Sequence, residues 1–114
     1  MRKGGRMQKV TTMEQIDEAL GKDATLLYVS APNCNVCDAL KPKVKALFTK
    51  HFPKVELYEA NVADLPELGG RFNIFSAPAI LLFFEGKEFA REGRNISLEL
   101  FAQKIQKVYD LYFS

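Results

Sequence analysis

Apolar residues in this chain fall into short unbroken runs and longer spaced patterns, and the two kinds alternate. Ala24 to Ser30 (Ala-Thr-Leu-Leu-Tyr-Val-Ser) is nearly continuous in apolar, β-rich residues, as a strand buried on both faces should be. Val55 to Ala60 repeats that character, and Met7 to Val10 reads as a short edge strand. Ala79 to Phe84 and Glu88 to Glu92 read as two strands joined across Glu85-Gly86-Lys87. Between the runs lie helical patterns. Thr12 and Gln15 form a capping box, and Gly21 is a natural stop for the helix between them. From Cys34 onward Val36, Leu40, Val44, Leu47 and Phe48 recur at helical spacing, with Pro42 placed to kink the helix. Asp64 and Glu67 suggest a second box, opening a short helix with Pro66 near its start and Gly69-Gly70 at its end. Asn73 to Pro78 reads as loop, and Ser97 caps a last helix with the stripe Phe101, Ile105, Val108 and Tyr112.

The resulting order is β-α-β-α-β-α-β-β-α. Helices alternating with buried strands and a closing hairpin plus helix predict an α/β fold, a mixed central β-sheet flanked by helices. No internal repeat or Pro/Gly-rich linker divides the chain, so 1–114 reads as one domain.

Composition changes this picture little. With 47% hydrophobic and 26% charged residues the chain is ordinary for a globular domain. The formal charge of +2 is uneven: Arg2, Lys3, Arg6 and Lys9 precede any acid, and setting them aside leaves 12 basic against 14 acidic residues. Residues 1–6 therefore read as a flexible basic terminus. No basic stripe with interleaved aromatics appears, so nucleic acid is not an expected partner. The segment after the basic start is amphipathic and acidic, unlike a secretory leader. The most apolar run, Ala77 to Phe84, is too short to span a membrane. The expectation is a cytoplasmic protein without membrane partners.

Chemistry then concentrates on Cys34 and Cys37, the only two cysteines. Cys34 stands where a strand and turn hand over to a helix, whose unpaired N–H groups and positive dipole end favour a thiolate. Asp38, four residues on, opposes that effect, and Lys41 and Lys43 partly offset Asp38. The spacing lets Cys37 attack a mixed disulfide held on Cys34, as two-step exchange requires. Three other readings stay open: a zinc site using His51, the single histidine; two inert buried cysteines; or a static disulfide. A four-ligand zinc site would need a further donor, from a second chain for example.

Beyond the cysteines, nearly the whole chain, from about Met7 to Tyr112, resembles the thioredoxin family. Leu-Leu-Tyr-Val-Ser-Ala-Pro-Asn-Cys34 looks like the strand entering the family's active site, and Pro42 matches the kink proline of its helix. Ser76-Ala77-Pro78-Ala79-Ile80-Leu81-Leu82-Phe83 resembles the segment with the cis-proline, and Glu85-Gly86-Lys87 followed by Gly93 its hairpin and groove glycine. The resemblance implies a thioredoxin fold and a thiol–disulfide oxidoreductase, a protein-disulfide reductase, with Cys34 as nucleophile and Cys37 as resolving thiol. It also implies a cis Ala77–Pro78 bond and a substrate-binding surface of Asn33, Ala77, Pro78 and Gly93. The redox group would be the Cys34–Cys37 disulfide itself, with no bound cofactor. The partners would be protein thiols and disulfides and a recharging thiol system or flavin reductase, the protein acting as a monomer.

The chain departs from that pattern at several places. Asn33 replaces the usual Trp, Asn35-Val36 the common Gly-Pro, and Tyr28 a buried acid six residues before the nucleophile. Tyr28 reads first as core packing, with a hydroxyl that could reach toward Cys37. Glu59 stands where the family usually has lysine and is a proton-relay candidate for Cys37, against the plainer reading of a salt-bridged or solvent-facing side chain. The altered motif also keeps open a non-catalytic peptide-binding or chaperone-like module, and a thiolate metal-binding protein.

Overall fold

The computed structural model describes residues 6–114, so the expected basic terminus lies outside the described residues except for Arg6. Nine elements follow in the expected order: β1 (Met7–Lys9), α1 (Met13–Leu20), β2 (Ala24–Ser30), α2 (Asn35–His51), β3 (Glu56–Asn61), α3 (Glu67–Phe72), β4 (Ala79–Phe84), β5 (Lys87–Glu92) and α4 (Leu98–Tyr112). The strands form one sheet in the order β1-β3-β2-β4-β5. β3 pairs in parallel with both β1 and β2, while β4 pairs antiparallel with β2 and β5. β2 is the middle strand, and residues Ala24 to Val29 are buried, which is why it reads as an unbroken apolar run.

Period-two alternation divides the sheet's side chains between two cores. Leu27, Val29, Tyr58, Ala60, Leu81 and Phe83 pack with Ile16 and Ala19 of α1 and Leu68 and Phe72 of α3. Leu26, Tyr28, Leu57, Ile80 and Leu82 pack on the other face with Val44 and Phe48 of α2 and Phe101, Ile105 and Tyr109 of α4. The buried Thr25 hydroxyl donates to the Ala19 carbonyl at 2.7 Å, so this polar group carries no desolvation debt.

Local chemistry explains the helix ends, and it corrects three expectations. The Thr12–Gln15 capping box forms, and Gly21 closes α1. α3, however, has no side-chain cap and contains both Gly69 and Gly70; it ends at Asn73, in the left-handed region at φ 55°. Gly69 is there for close approach: a Cβ would lie 3.2 Å from the Ile74 carbonyl oxygen as the chain folds back over the helix. The hairpin loop is two residues, Glu85-Gly86, both with positive φ, because Lys87 already pairs with Phe84. On α4 the buried stripe is Phe101, Ile105, Tyr109 at a spacing of four; Val108 is half-buried, and Tyr112 turns its hydroxyl to Glu85 at 2.8 Å.

Candidate functional site

Three chain segments converge at one end of the sheet. β2 runs out at Ser30 into the turn that carries Cys34, and the pairing of Val29 with Ala79 sets the start of β4 beside it. β5 runs antiparallel to β4 and delivers Gly93 to the same end, through the pairing of Ile80 with Glu92. The Ala77–Pro78 bond is cis, as the resemblance implied.

Cys34 is the N-cap of α2 and is half-buried, whereas Cys37, one turn inside, is 2% exposed. They are joined by a disulfide with their Cα atoms 5.2 Å apart, within the usual range for such a bridge. The Cys37 N–H donates to Cys34 Sγ at 3.2 Å, the helix-terminal donor a thiolate there would use. The outer sulfur is therefore open to approach from solvent, and the inner one is shielded beneath it. Val36, expected on the apolar stripe of α2, points outward instead and is 37% exposed between the cysteines.

Asn33 is exposed and adopts φ 56°, the left-handed conformation that Asn tolerates far better than bulkier residues. It therefore shapes the turn into Cys34. Pro78 and Gly93 line one shallow depression of about 340 Å³ with Phe75, while Ala77 lines a second, of about 290 Å³, with Ala31 and Phe75. A Cβ on Gly93 would sit 3.8 Å from the Pro78 carbonyl oxygen, so the two meet directly across the groove. Among the described residues neither the N–H nor the C=O of Ala77 is taken up by another backbone group. A further depression, of about 430 Å³, lies between β1 and α1 and includes no residue of these segments.

Beneath the disulfide, Tyr28 is fully buried and donates its hydroxyl to the Cys37 carbonyl at 2.8 Å. Burial, with Asp38 and Glu59 adding to it, pushes this phenol up to about 12. It stays protonated across the physiological range and is a strut for the α2 first turn. Glu59 pairs with Tyr28 across β2 and β3, and its carboxylate takes both 2.8 and 3.1 Å bonds from Lys41 Nζ. The sequence could not locate this ion pair, because it joins a helix to a strand 18 residues away. His51 closes α2, roughly 25 Å along a helix of this length from Cys34, so the three candidate zinc ligands are not brought together.

The chain has no Trp and four Tyr, so tyrosinate absorbance can be followed without interference from indole. Tyr58, by burial and a hydrogen bond to Glu56, and Tyr112, by its hydrogen bond to Glu85, are also raised to about 12. A phenol raised when folded contributes stability that is complete below its ordinary value of 10.0 and is lost as pH climbs toward 12. Titration followed near 295 nm should show three late tyrosines in native protein and none in urea. Tyr28→Phe should remove one late tyrosine and cost about 1 kcal/mol in urea unfolding at neutral pH. A variant that still shows three late tyrosines would contradict this assignment.

A family model described as Thioredoxin matches residues 7–107. The thioredoxin-like protein YdfQ of Bacillus subtilis is 40% identical over 88 residues, 77% of this chain and 78% of that protein. Thioredoxin-1 of Saccharomyces cerevisiae is 26% identical over 81 residues, covering 70% and 78% of the two chains. Among solved structures, thioredoxin from Trypanosoma brucei brucei superposes with a TM-score of 0.80 at 17% identity, over 94% of each chain. Among the described residues no helix is long and apolar enough to cross a membrane.

Proposed function

The chain belongs to the thioredoxin family, and from that premise we propose that it is a thiol–disulfide oxidoreductase that reduces protein disulfides, with Cys34 attacking and Cys37 resolving. The observation that carries the reading is the disulfide itself: a reachable N-cap sulfur joined to a buried one, at the sheet end that also holds the cis-proline turn.

In the forward direction the reduced Cys34 thiolate attacks one sulfur of a substrate disulfide. A bond forms between Cys34 Sγ and that sulfur, and the other substrate sulfur leaves as a thiolate and takes up a proton. Cys37 then loses its proton and attacks Cys34 Sγ, closing the Cys34–Cys37 disulfide and expelling the second substrate sulfur. Two electrons pass to the substrate, and an external dithiol or a flavin-dependent reductase returns them; no bound cofactor is needed. Asn33, Ala77, Pro78 and Gly93 form the substrate surface, with the free Ala77 backbone pairing to an extended segment.

Glu59 is the acceptor we assign to the Cys37 proton. It shares the α2 face of the sheet with Tyr28, whose hydroxyl reaches the Cys37 carbonyl, and a phenol raised to about 12 is already protonated at neutral pH and has no room for a further proton. Lys41 holds the carboxylate in place.

The test is reduction of insulin disulfides with dithiothreitol as the electron source, by wild type and by Glu59→Gln. Wild type should accelerate the reaction well above dithiothreitol alone. Glu59→Gln should slow the resolving step about 10²-fold, within the range for one general base, and flatten its pH profile. An unchanged rate and profile ends the role of Glu59; no acceleration by wild type ends the reductase reading and favours peptide binding without turnover.

A further inference from the structure

The loop of residues 73–78, between α3 and β4, carries a side chain that exchange chemistry does not use. Phe75 is 90% exposed, the most exposed large apolar residue described. The other well-exposed phenylalanine, Phe89, packs edge-on against Phe84 at 5.8 Å, but Phe75 stacks on no other ring among the described residues.

That exposure is not slackness in the loop. The Arg91 guanidinium reaches from β5 to donate to the Phe72 carbonyl at 2.7 Å and the Asn73 carbonyl at 3.1 Å, while two 2.7 Å bonds to Glu88 hold it in place. The Ile74 N–H donates to the Gly69 carbonyl at 3.0 Å, and the Ile74 side chain is buried. On the far side Pro78 is buried and Ala79 enters the sheet. Phe75 thus stands on a frame fixed at both ends, with its ring free.

Its position is also specific. The depression holding Pro78 and Gly93 and the one holding Ala31 and Ala77 meet at Phe75. Val36, exposed between the cysteines, adds a second apolar group on the same end of the molecule. An extended segment pairing with the free Ala77 backbone would place its alternate side chains along these depressions.

We infer that Phe75 is a specificity-determining residue that selects substrates with an apolar side chain close in sequence to the cysteine under attack. The inference rests on the oxidoreductase reading above and names the substrate class it serves. A side chain with only two rotatable bonds on a backbone held in place offers contact area at a small entropic cost, as aromatic anchors of binding surfaces do.

Three disulfide-linked peptides test it: one with Ser on both sides of the cysteine, one with Leu two residues before it, and one with Leu two residues after it. Bis(2-hydroxyethyl) disulfide serves as a substrate with no side chains to read. Wild type should favour one of the Leu peptides roughly tenfold in kcat/KM, Phe75→Ala should reduce that preference to less than about twofold, and Phe75→Tyr should keep it. Rates with bis(2-hydroxyethyl) disulfide should be equal in all three proteins. Equal treatment of the peptides by wild type, or a preference that survives in Phe75→Ala, overturns the inference while leaving the reductase reading intact. Wild type inert toward the small disulfide as well would overturn both.

Discussion

Replacing Cys37 by Ser is expected to convert turnover into capture. Cys34 keeps its place at the N-cap of α2 and its access to solvent, so the first attack proceeds. The Tyr28 hydroxyl bonds to the backbone of residue 37, not its sulfur, so the first turn keeps its strut. What is lost is the buried thiol that completes the second exchange, and the mixed disulfide on Cys34 then waits for an outside thiol. Insulin reduction should fall by roughly three orders of magnitude, and mixing with insulin in the absence of dithiothreitol should leave dithiothreitol-sensitive adducts on non-reducing gels. A Cys34→Ser, Cys37→Ser double variant should give no adducts. Turnover within about tenfold of wild type would show that Cys37 is not the resolving group.

The largest stability effect is expected at Phe48→Ala. Phe48 is buried on α2 and joins two rings, Phe52 at 5.2 Å and Phe101 of α4 at 6.1 Å, so it ties the cysteine-bearing helix to the neighbouring helix and to the sheet below. Truncation removes the transfer energy of the ring and leaves a cavity, about 3–5 kcal/mol in all. That is a large part of the 5–15 kcal/mol typical of a domain. Urea unfolding should show the midpoint falling sharply, while Phe75→Ala, at an exposed ring, should shift stability by no more than about 0.5 kcal/mol. Similar losses at both positions would mean that Phe75 is tied into the core and would contradict its exposed placement.

Where one physical cause dominates, the sequence reports it. β2 was legible residue for residue because a strand covered on both faces must be apolar throughout. The α1 cap was legible because Thr12 and Gln15 satisfy each other's backbone groups locally. Gly69 was misread because close approach and helix termination ask for the same residue, and only the returning chain at Ile74 distinguishes them. Cys34, Cys37 and the cis bond before Pro78 stood out through a motif. Arg91 and Phe75 did not: one acts on carbonyls 18 and 19 residues away, and the other is a loop aromatic whose meaning depends on what it fails to touch. Tyr28 was half legible, since packing was plain from its strand but its bond to Cys37 required the helix to be in place.

One irregularity in the sheet bears on how the protein behaves when crowded. Leu82 pairs with Ala90 and Phe83 with Glu88, which leaves Phe89 as an extra residue on the outer strand β5. A bulge of this kind bends and twists an edge, and Lys87, Glu88, Arg91 and Glu92 add charge along it. At the opposite rim β1 is three residues long. Neither rim presents the long flat row of unpaired amides on which sheets stack into aggregates. A reductase of protein disulfides, as proposed above, would meet extended segments ready to add to any open edge. Rims of this kind would turn them away, so that on the proposed reading a foreign strand would gain its hydrogen bonds at the free backbone of Ala77, beside the sulfurs.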